Sequence, residues 1–263
     1  MSIDPVLLDK TRIESALLLS AEAGWNQSAA DWAVFLTHGT VLGVIADDRL
    51  VATAAVLPYG DTFGWISMVL VTRTWRGRGI ATRLVDACVS LLRDAGRAAF
   101  LDATPAGAAV YSRIGFMPLC QMQRWHGSGG ELSRSTEAVN LSIDRAAFGA
   151  DRLFLLDAFL SRPGSSGFAA RDGFAILRPG ANAMQIGPIA GDPAEAPALL
   201  RAAIRATSGR LFVDLLDAGH SLIPVLSACG FSMQRGYTRM ALGRASLPGD
   251  PARMLVAAGP EYG

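Results

Sequence analysis

Apolar positions recur along this chain with two periods, and the switches between them mark out its elements. From Thr11 to Ala23, Ile13, Leu17 and Leu18 stand at helical spacing and Gly24 breaks the run, which predicts an amphipathic helix. Ser28 followed three residues later by Asp31 reads as a capping box, so a second short helix starts there. Residues 41–46 and 50–57 are rich in valine and alanine and flank Asp47-Asp48-Arg49, the pattern of a β-hairpin. Residues 65–71, Trp-Ile-Ser-Met-Val-Leu-Val, are apolar on both faces apart from Ser67 and suit a strand in the middle of a covered sheet. A helix follows from about Gly79 to Asp94, with a seam of Ile80, Leu84, Cys88, Leu91 and Leu92 and a closing Gly96. A strand at 98–102, a short helix at 107–112 and a strand after Gly115-Phe116 complete the series.

His126-Gly127-Ser128-Gly129-Gly130 then reads as a connection, and residues 130–150 hold little that looks like core. The expected organisation is a first domain at 1–128, a linker at 129–150 and a second domain at 151–263. In the second domain a helix at 151–160, strands at 174–177 and 184–189, a helix at 194–206, a strand at 211–216 and a helix at 222–228 repeat the order of the first. The repeat is most tangible where Phe100-Leu101-Asp102 leads to Ile114-Gly115-Phe116 and Phe212-Val213-Asp214 leads to Cys229-Gly230-Phe231.

Composition narrows the classes. With 263 residues, 51% of them hydrophobic and 18% charged, the chain buries a substantial core, which excludes disorder and favours two units over one. Twenty-four basic against 23 acidic residues, with no long run of either sign, exclude nucleic-acid binding and membrane-surface binding by bulk charge. Cys88, Cys120 and Cys229 form no CxxC pair, which excludes a disulfide scaffold or zinc ribbon and fits the reducing cytoplasm. The three histidines, His38, His126 and His220, share no ligand spacing with them, so no metal is expected. No apolar run approaches the ~18–20 residues of a membrane span. Asp4, Asp9 and Glu14 interrupt the one N-terminal stretch that imitates a signal peptide.

The chemistry is concentrated in one segment, where the strand ending at Val71 leads through a short loop into Arg76-Gly77-Arg78-Gly79-Ile80-Ala81. Glycines let backbone N–H groups converge, and the unpaired amides and positive dipole of a helix start attract phosphate oxygens. Alone, the hexapeptide also fits an ordinary glycine turn with two solvated arginines. A dinucleotide-binding fingerprint fails because Thr72–Arg76 intervene after the strand and Thr82 stands where the third glycine belongs. A Walker loop fails because no Gly-Lys-Ser/Thr follows.

The strand at 65–71, the Arg76-x-x-Gly79-x-Ala81 loop and its helix resemble the acetyl-CoA-binding motif of the GNAT superfamily of N-acetyltransferases. Ala109-Val110-Tyr111-Ser112-Arg113-Ile114-Gly115-Phe116 resembles the superfamily's second signature, a Tyr five residues before the Phe of a Gly-Phe corner. The second half is similar to the GNAT-like C-terminal domain of some tandem bacterial acetyltransferases. Its counterpart of the cradle, 187–194, has no arginine, two prolines and Asp192, and Leu226 replaces Tyr111, so it reads as a degenerate copy that binds no coenzyme. The fold implied is α/β (α+β): two tandem GNAT-like domains, each a mixed, mostly antiparallel twisted sheet flanked by helices.

The resemblance also implies a reaction, direct transfer of an acetyl group from acetyl-CoA to a primary amine. Met68, Val69, Leu70 and Val71, beside a bulge, would offer backbone groups to the pantetheine arm. Arg76, Gly77, Arg78, Gly79, Ile80, Ala81 and Thr82 would hold the diphosphate, and Tyr111 would supply a proton to the departing thiolate. Asp102, which ends the strand facing Tyr111's helix, is equally a helix cap, a turn residue or an acid of the acceptor site that could serve as base, and the general base is not otherwise identified. Trp25, Asn26, Trp32, Tyr59 and Met68 are the expected wall of the acceptor site, though each also suits a core. The expected partner is a small-molecule amine, with no nucleic acid or membrane, and the chain could form a homodimer. The alternatives are a non-catalytic acetyl-CoA-binding module and a transferase of a longer acyl group.

Overall fold

The computed structural model describes residues 4–130 and 138–263. By contacts it divides into two units: the chain up to Leu101 with Ala241–Arg244, and Asp102–Met240 with Ala245–Gly263. Among the described residues no helix is long and apolar enough to cross a membrane.

The first unit contains β1 (Val6–Leu7), α1 (Ile13–Glu22), α2 (Ala29–His38), β2 (Thr40–Ala46), β3 (Arg49–Tyr59), β4 (Phe63–Val71), α3 (Ile80–Asp94) and the start of β5 (Ala98–Ala103). Its sheet runs β1-β2-β3-β4-β5 and is antiparallel except where β4 meets β5. The capping box forms as the sequence predicts: Asp31 N donates to Ser28 Oγ and Ser28 N donates to Asp31 Oδ2 at 2.7 Å. Asp47 and Asp48 close the β2–β3 hairpin with φ of 49° and 59°, the left-handed pair of a two-residue turn, which aspartate tolerates better than most residues. β3 and β4 are buried almost throughout. Gly64 presents no side chain to Leu92 of α3, while Phe63 and Trp65, on the opposite face of β4, pack against Phe100 at centroid distances of 5.3 and 5.7 Å. α3 buries Ile80, Leu84, Val85, Cys88 and Leu92, whereas Leu91, expected in the seam, is 43% exposed.

The second unit follows with α4 (Pro105–Arg113), β6 (Met117–Ser128), α5 (Ser142–Phe148), α6 (Leu153–Leu160), β7 (Ser166–Ala170), β8 (Gly173–Arg178), β9 (Met184–Gly191), α7 (Ala196–Arg205), β10 (Arg210–Leu216), α8 (Ile223–Ala228), β11 (Ser232–Leu242) and β12 (Met254–Val256). Its strands lie in the order β11-β6-β10-β12-β9-β8-β7. Leu199, Leu200, Ala203 and Ile204 of α7 join Ile186, Ile189, Leu211, Val213 and Leu215 in the core. Of the linker expected at 129–150, residues 131–137 lie outside the described residues. The rest holds more core than its composition suggested, because α5 buries Ile143, Ala147 and Phe148.

Two buried ion pairs bear out the internal repeat. The residue eight places after Phe116 is Arg124, and eight after Phe231 is Arg239. Arg124 Nε and Nη2 donate to Asp214 at 2.7 Å each, and Arg239 Nε and Nη2 donate to Asp102 at 2.9 Å each. The strand-end aspartate of each half is therefore paired with the arginine of the other half's last long strand. Asp214 is fully buried and accepts a further bond from Gln185 Nε2 at 2.9 Å. Removing one partner of such a pair strands a buried charge. Asp214→Ala is expected to lower unfolding stability by about 3–5 kcal/mol in chemical denaturation. A loss below about 1 kcal/mol, the scale of an exposed pair, would contradict this role.

Candidate active site

The site starts from a break in a ladder. β4 pairs in parallel with β5 at only three positions, Phe63–Ala98, Gly64–Ala99 and Trp65–Phe100. On its other side the register with β3 shifts: Ser67 faces Ala55 and Leu70 faces Thr53, so Met68 and Val69 together oppose Ala54. This is a β-bulge, and Met68 sits in the left-handed region with φ of 53°. Thr53 Oγ1 fixes it by donating to Met68 O at 2.8 Å. Beyond Trp65, the backbone groups of β4 that point away from β3 have no ladder partner among the described pairings.

β4 then runs through a single turn of 3-10 helix, Arg73–Trp75, into the glycine segment. Gly77 and Gly79 have φ of 76° and 74°, and a Cβ built on either meets nothing within 4 Å, so both face open space. Positive φ is the reason glycine stands at each place. Gly79 is the N-cap of α3, which has no side-chain cap and no acid in its first turn. Its first amides and dipole are thus left for an outside acceptor. Arg76 Nε donates to Val71 O at 2.9 Å, and Arg78 Nη2 donates to Thr74 O at 3.2 Å with its guanidinium 4.5 Å from the Trp75 ring. Both arginines are tied to the turn they flank, adding fixed positive charge beside the amides. The arrangement suits a group with several anionic oxygens, such as a diphosphate.

A residue that sequence reasoning passed over anchors this turn. Glu22, at the end of α1, accepts from Thr72 Oγ1 and from Arg73 N, each at 2.7 Å. The hydrogen bond from Thr72, then that from the Arg73 amide, holds its carboxyl below the usual glutamate range. An acid in the last turn of a helix opposes the helix dipole, and that is the signal that could have found it.

The two halves match known sequence patterns. Residues 13–116 match the acetyltransferase (GNAT) family, and residues 141–255 match an acetyltransferase (GNAT) domain. The chain belongs to the GNAT acetyltransferases. Among its relatives is the aminoglycoside 2'-N-acetyltransferase of Mycolicibacterium fortuitum, 30% identical over 105 residues that make up 37% of this chain and 50% of that protein. The match thus spans about half the length of that relative. A structure from Pyrococcus horikoshii assigned as an acetyltransferase aligns over 99% of this chain and 95% of its own, with a TM-score of 0.85 and 19% identity. The tandem GNAT protein from the clavulanic acid biosynthesis pathway, in a form without AcCoA, covers 91% of this chain and 98% of its own at a TM-score of 0.60 and 14% identity. At these identities the likeness is one of fold, and it is the fold of two tandem GNAT domains.

In this GNAT chain Tyr111 is half-buried on α4, its ring 6.1 Å from that of Phe116, and its backbone oxygen accepts from Phe116 N at 3.1 Å. Three residues expected around the acceptor prove to be interior. Trp32 is fully buried and its indole N–H donates to Ser20 Oγ at 3.1 Å. Tyr59 is fully buried with its ring 5.7 Å from Phe63. Asp102 has no exposed side-chain surface and both its oxygens hold Arg239, while Thr104, not Asp102, caps α4. Burial raises the Asp102 carboxyl against the lowering effect of Arg239. Met68 is buried too, which leaves half-buried Trp25 and the backbone around buried Asn26 as what remains of the expected wall.

The Glu22 anchor can be checked by titration. The amide shift of Arg73 should report the Glu22 carboxyl with an apparent pKa below 4.5, the hydrogen bond persisting at neutral pH and loosening only as pH falls through that lowered value. Glu22→Gln should flatten the curve. An Arg73 amide that titrates at or above 4.5, or not at all in the native protein, would contradict the contact.

Proposed function

We propose that this chain transfers an acetyl group from acetyl-CoA to the primary amine of a small molecule. The observation that carries the proposal is that β4, past the end of its ladder with β5 at Trp65, has no strand partner among the described pairings on its side away from β3, and that it leads through Arg73–Trp75 to the double-glycine start of α3. A pantetheine arm carries amides that can pair with such a strand edge, and the diphosphate at its end matches the uncapped helix start. The open space in front of Gly77 and Gly79 fits that group. Acetyl-CoA supplies an acetyl group activated as a thioester. Met68, Val69, Leu70 and Val71 hold the arm through backbone groups, and Arg76 and the amides of 77–82 hold the diphosphate.

Transfer forms a C–N bond and breaks the C–S bond; the amine loses a proton and the sulfur leaves as a thiolate. Tyr111 is the proposed donor to that thiolate, on the strength of its place five residues before Phe116. Asp102 is badly placed as a base, since its side chain has no exposed surface and both its oxygens are occupied by Arg239. The N-acetyltransferase of aminoglycosides among the relatives supports a small polar amine over a protein tail. With Trp32 and Tyr59 in the core, the aromatic wall that would have favoured a flat apolar amine is largely lost.

The test is release of free CoA thiol from acetyl-CoA with the whole chain and a panel of aminoglycosides, amino acids, arylamines and peptides. Turnover is expected with a small amine. Tyr111→Phe should leave acetyl-CoA affinity intact and lower turnover roughly ten- to a thousand-fold, the scale of general acid catalysis. Gly79→Leu places a side chain where the phosphates approach and should abolish coenzyme binding in calorimetry while the fold persists. Unchanged affinity in Gly79→Leu, or no thiol release with any acceptor, would overturn the proposal.

A further inference from the structure

The second half repeats the construction of the site and then closes it. β9 has its own bulge: Ile186 faces Leu177 and Ile189 faces Ala175, so Gly187 and Pro188 together oppose Ile176. Its parallel ladder with β10 also has three pairs and stops at Ile186–Val213, just before the bulge. A gap should open between β9 and β10 as it does beside β4. Instead β12 lies in it, pairing antiparallel with β9 at Met254–Ala190 and Val256–Ile189 and antiparallel with β10 at Val256–Leu215. Ala257 N adds a bond to Asp214 O at 2.9 Å.

The fit is close on both sides. Met254 is 4% exposed, and Leu255, Val256, Ala257 and Ala258 have no exposed surface. A Cβ on Gly187 would stand 2.1 Å from Ala257 O, and one on Gly219 would stand 2.2 Å from Leu255 O, so both positions admit only glycine against the inserted backbone. The insert is tied down at either end, where Arg253 Nη2 donates to Asp172 at 2.6 Å and Arg178 Nη2 donates to Ala258 O at 2.9 Å.

The phosphate end is altered as well. Of residues 187–194, expected from sequence as a degenerate cradle, 187–191 are strand, and the turn proper is 192–195. There Asp192 Oδ1 accepts from Ala194 N at 2.9 Å, Glu195 adds a second carboxylate at the N-cap of α7, and Pro193 and Pro197 have no N–H to offer. Two carboxylates and two missing donors make a poor seat for a diphosphate.

We infer that residues 254–257 occupy, as a built-in strand, the place a pantetheine arm would take in the second half, so that this half admits no acyl-CoA and the chain carries one coenzyme site. The inference rests on the proposed reading of the first half as an acetyl-CoA site, and two readouts on the whole chain keep the two apart. Calorimetry should give one acetyl-CoA per native chain and none for Gly79→Leu. Hydrogen exchange at the Ala257 amide should be as slow as that of core β10 amides and unchanged by saturating acetyl-CoA. Two sites per chain, a site surviving in Gly79→Leu, or an Ala257 amide that exchanges freely or responds to acetyl-CoA more than about tenfold would overturn the inference. If the native chain binds none, the acetyl-CoA reading fails by itself, and the Ala257 amide alone decides whether β12 seals the gap.

Discussion

A strand in the interior of a sheet cannot leave its backbone unpaired without finding another partner for it, and this constraint organises the molecule. A bulge bends its strand and increases the local twist, which turns that strand away from the neighbour on its other side. The ladder of β4 stops at Trp65, shortly before the bulge at Met68–Val69, and that of β9 stops at Ile186, immediately before the bulge at Gly187–Pro188. The same problem then meets two answers. Beside β9 the chain supplies its own strand, β12; beside β4 the described residues supply none, and the glycine turn and uncapped α3 lie directly downstream.

What surrounds the open edge is rigid. Thr53 pins the left-handed Met68, and Glu22 pins the start of the turn from the end of a different helix. Arg76 and Arg78 fold back on Val71 and Thr74. Positioning of this kind matters more for anion binding than charge count, because amides held in place need not be reorganised when the ligand arrives. In the other unit the interior is fixed by Arg124–Asp214 and Arg239–Asp102, equivalent residues that exchange partners between the halves. A repeat visible in sequence as a shared order of elements, with a strand-end aspartate and a Gly-Phe corner, is thus written into the core as a pair of crossed ion pairs.

Local features were legible in the sequence, and non-local ones were not. The capping box at Ser28, the apolar strand at 65–71 and the glycine-opened helix are each set by a few neighbouring residues, and the structure has them where the pattern put them. The bulge at Met68–Val69 leaves no local signature, since nothing in Ser-Met-Val-Leu separates a bulged strand from a regular one; the resemblance supplied it. β12 was invisible because three residues make no period, and its meaning comes from strands more than forty residues away. From sequence Trp32 and Tyr59 suit either a site wall or a core, and burial decides for the core. The sequence around Asp102 offers a cap, a turn or an acid of the site, because its actual partner, Arg239, lies 137 residues away in sequence. α5 was missed because its seven residues bury only three apolar side chains, too few to stand out in a polar stretch.

The proposed coenzyme site joins an unpaired strand edge to a glycine-opened helix start, and in the second half β12 already fills the matching place. Backbone amide shifts of the isotopically labelled chain, followed during titration with acetyl-CoA, test it most directly. Saturable shifts are expected at residues 67–71 and 77–82, with the amides of 187–195 and 254–257 unmoved. Shifts centred on β9, β12 or the start of α7, or none along β4 and the glycine turn, would contradict it.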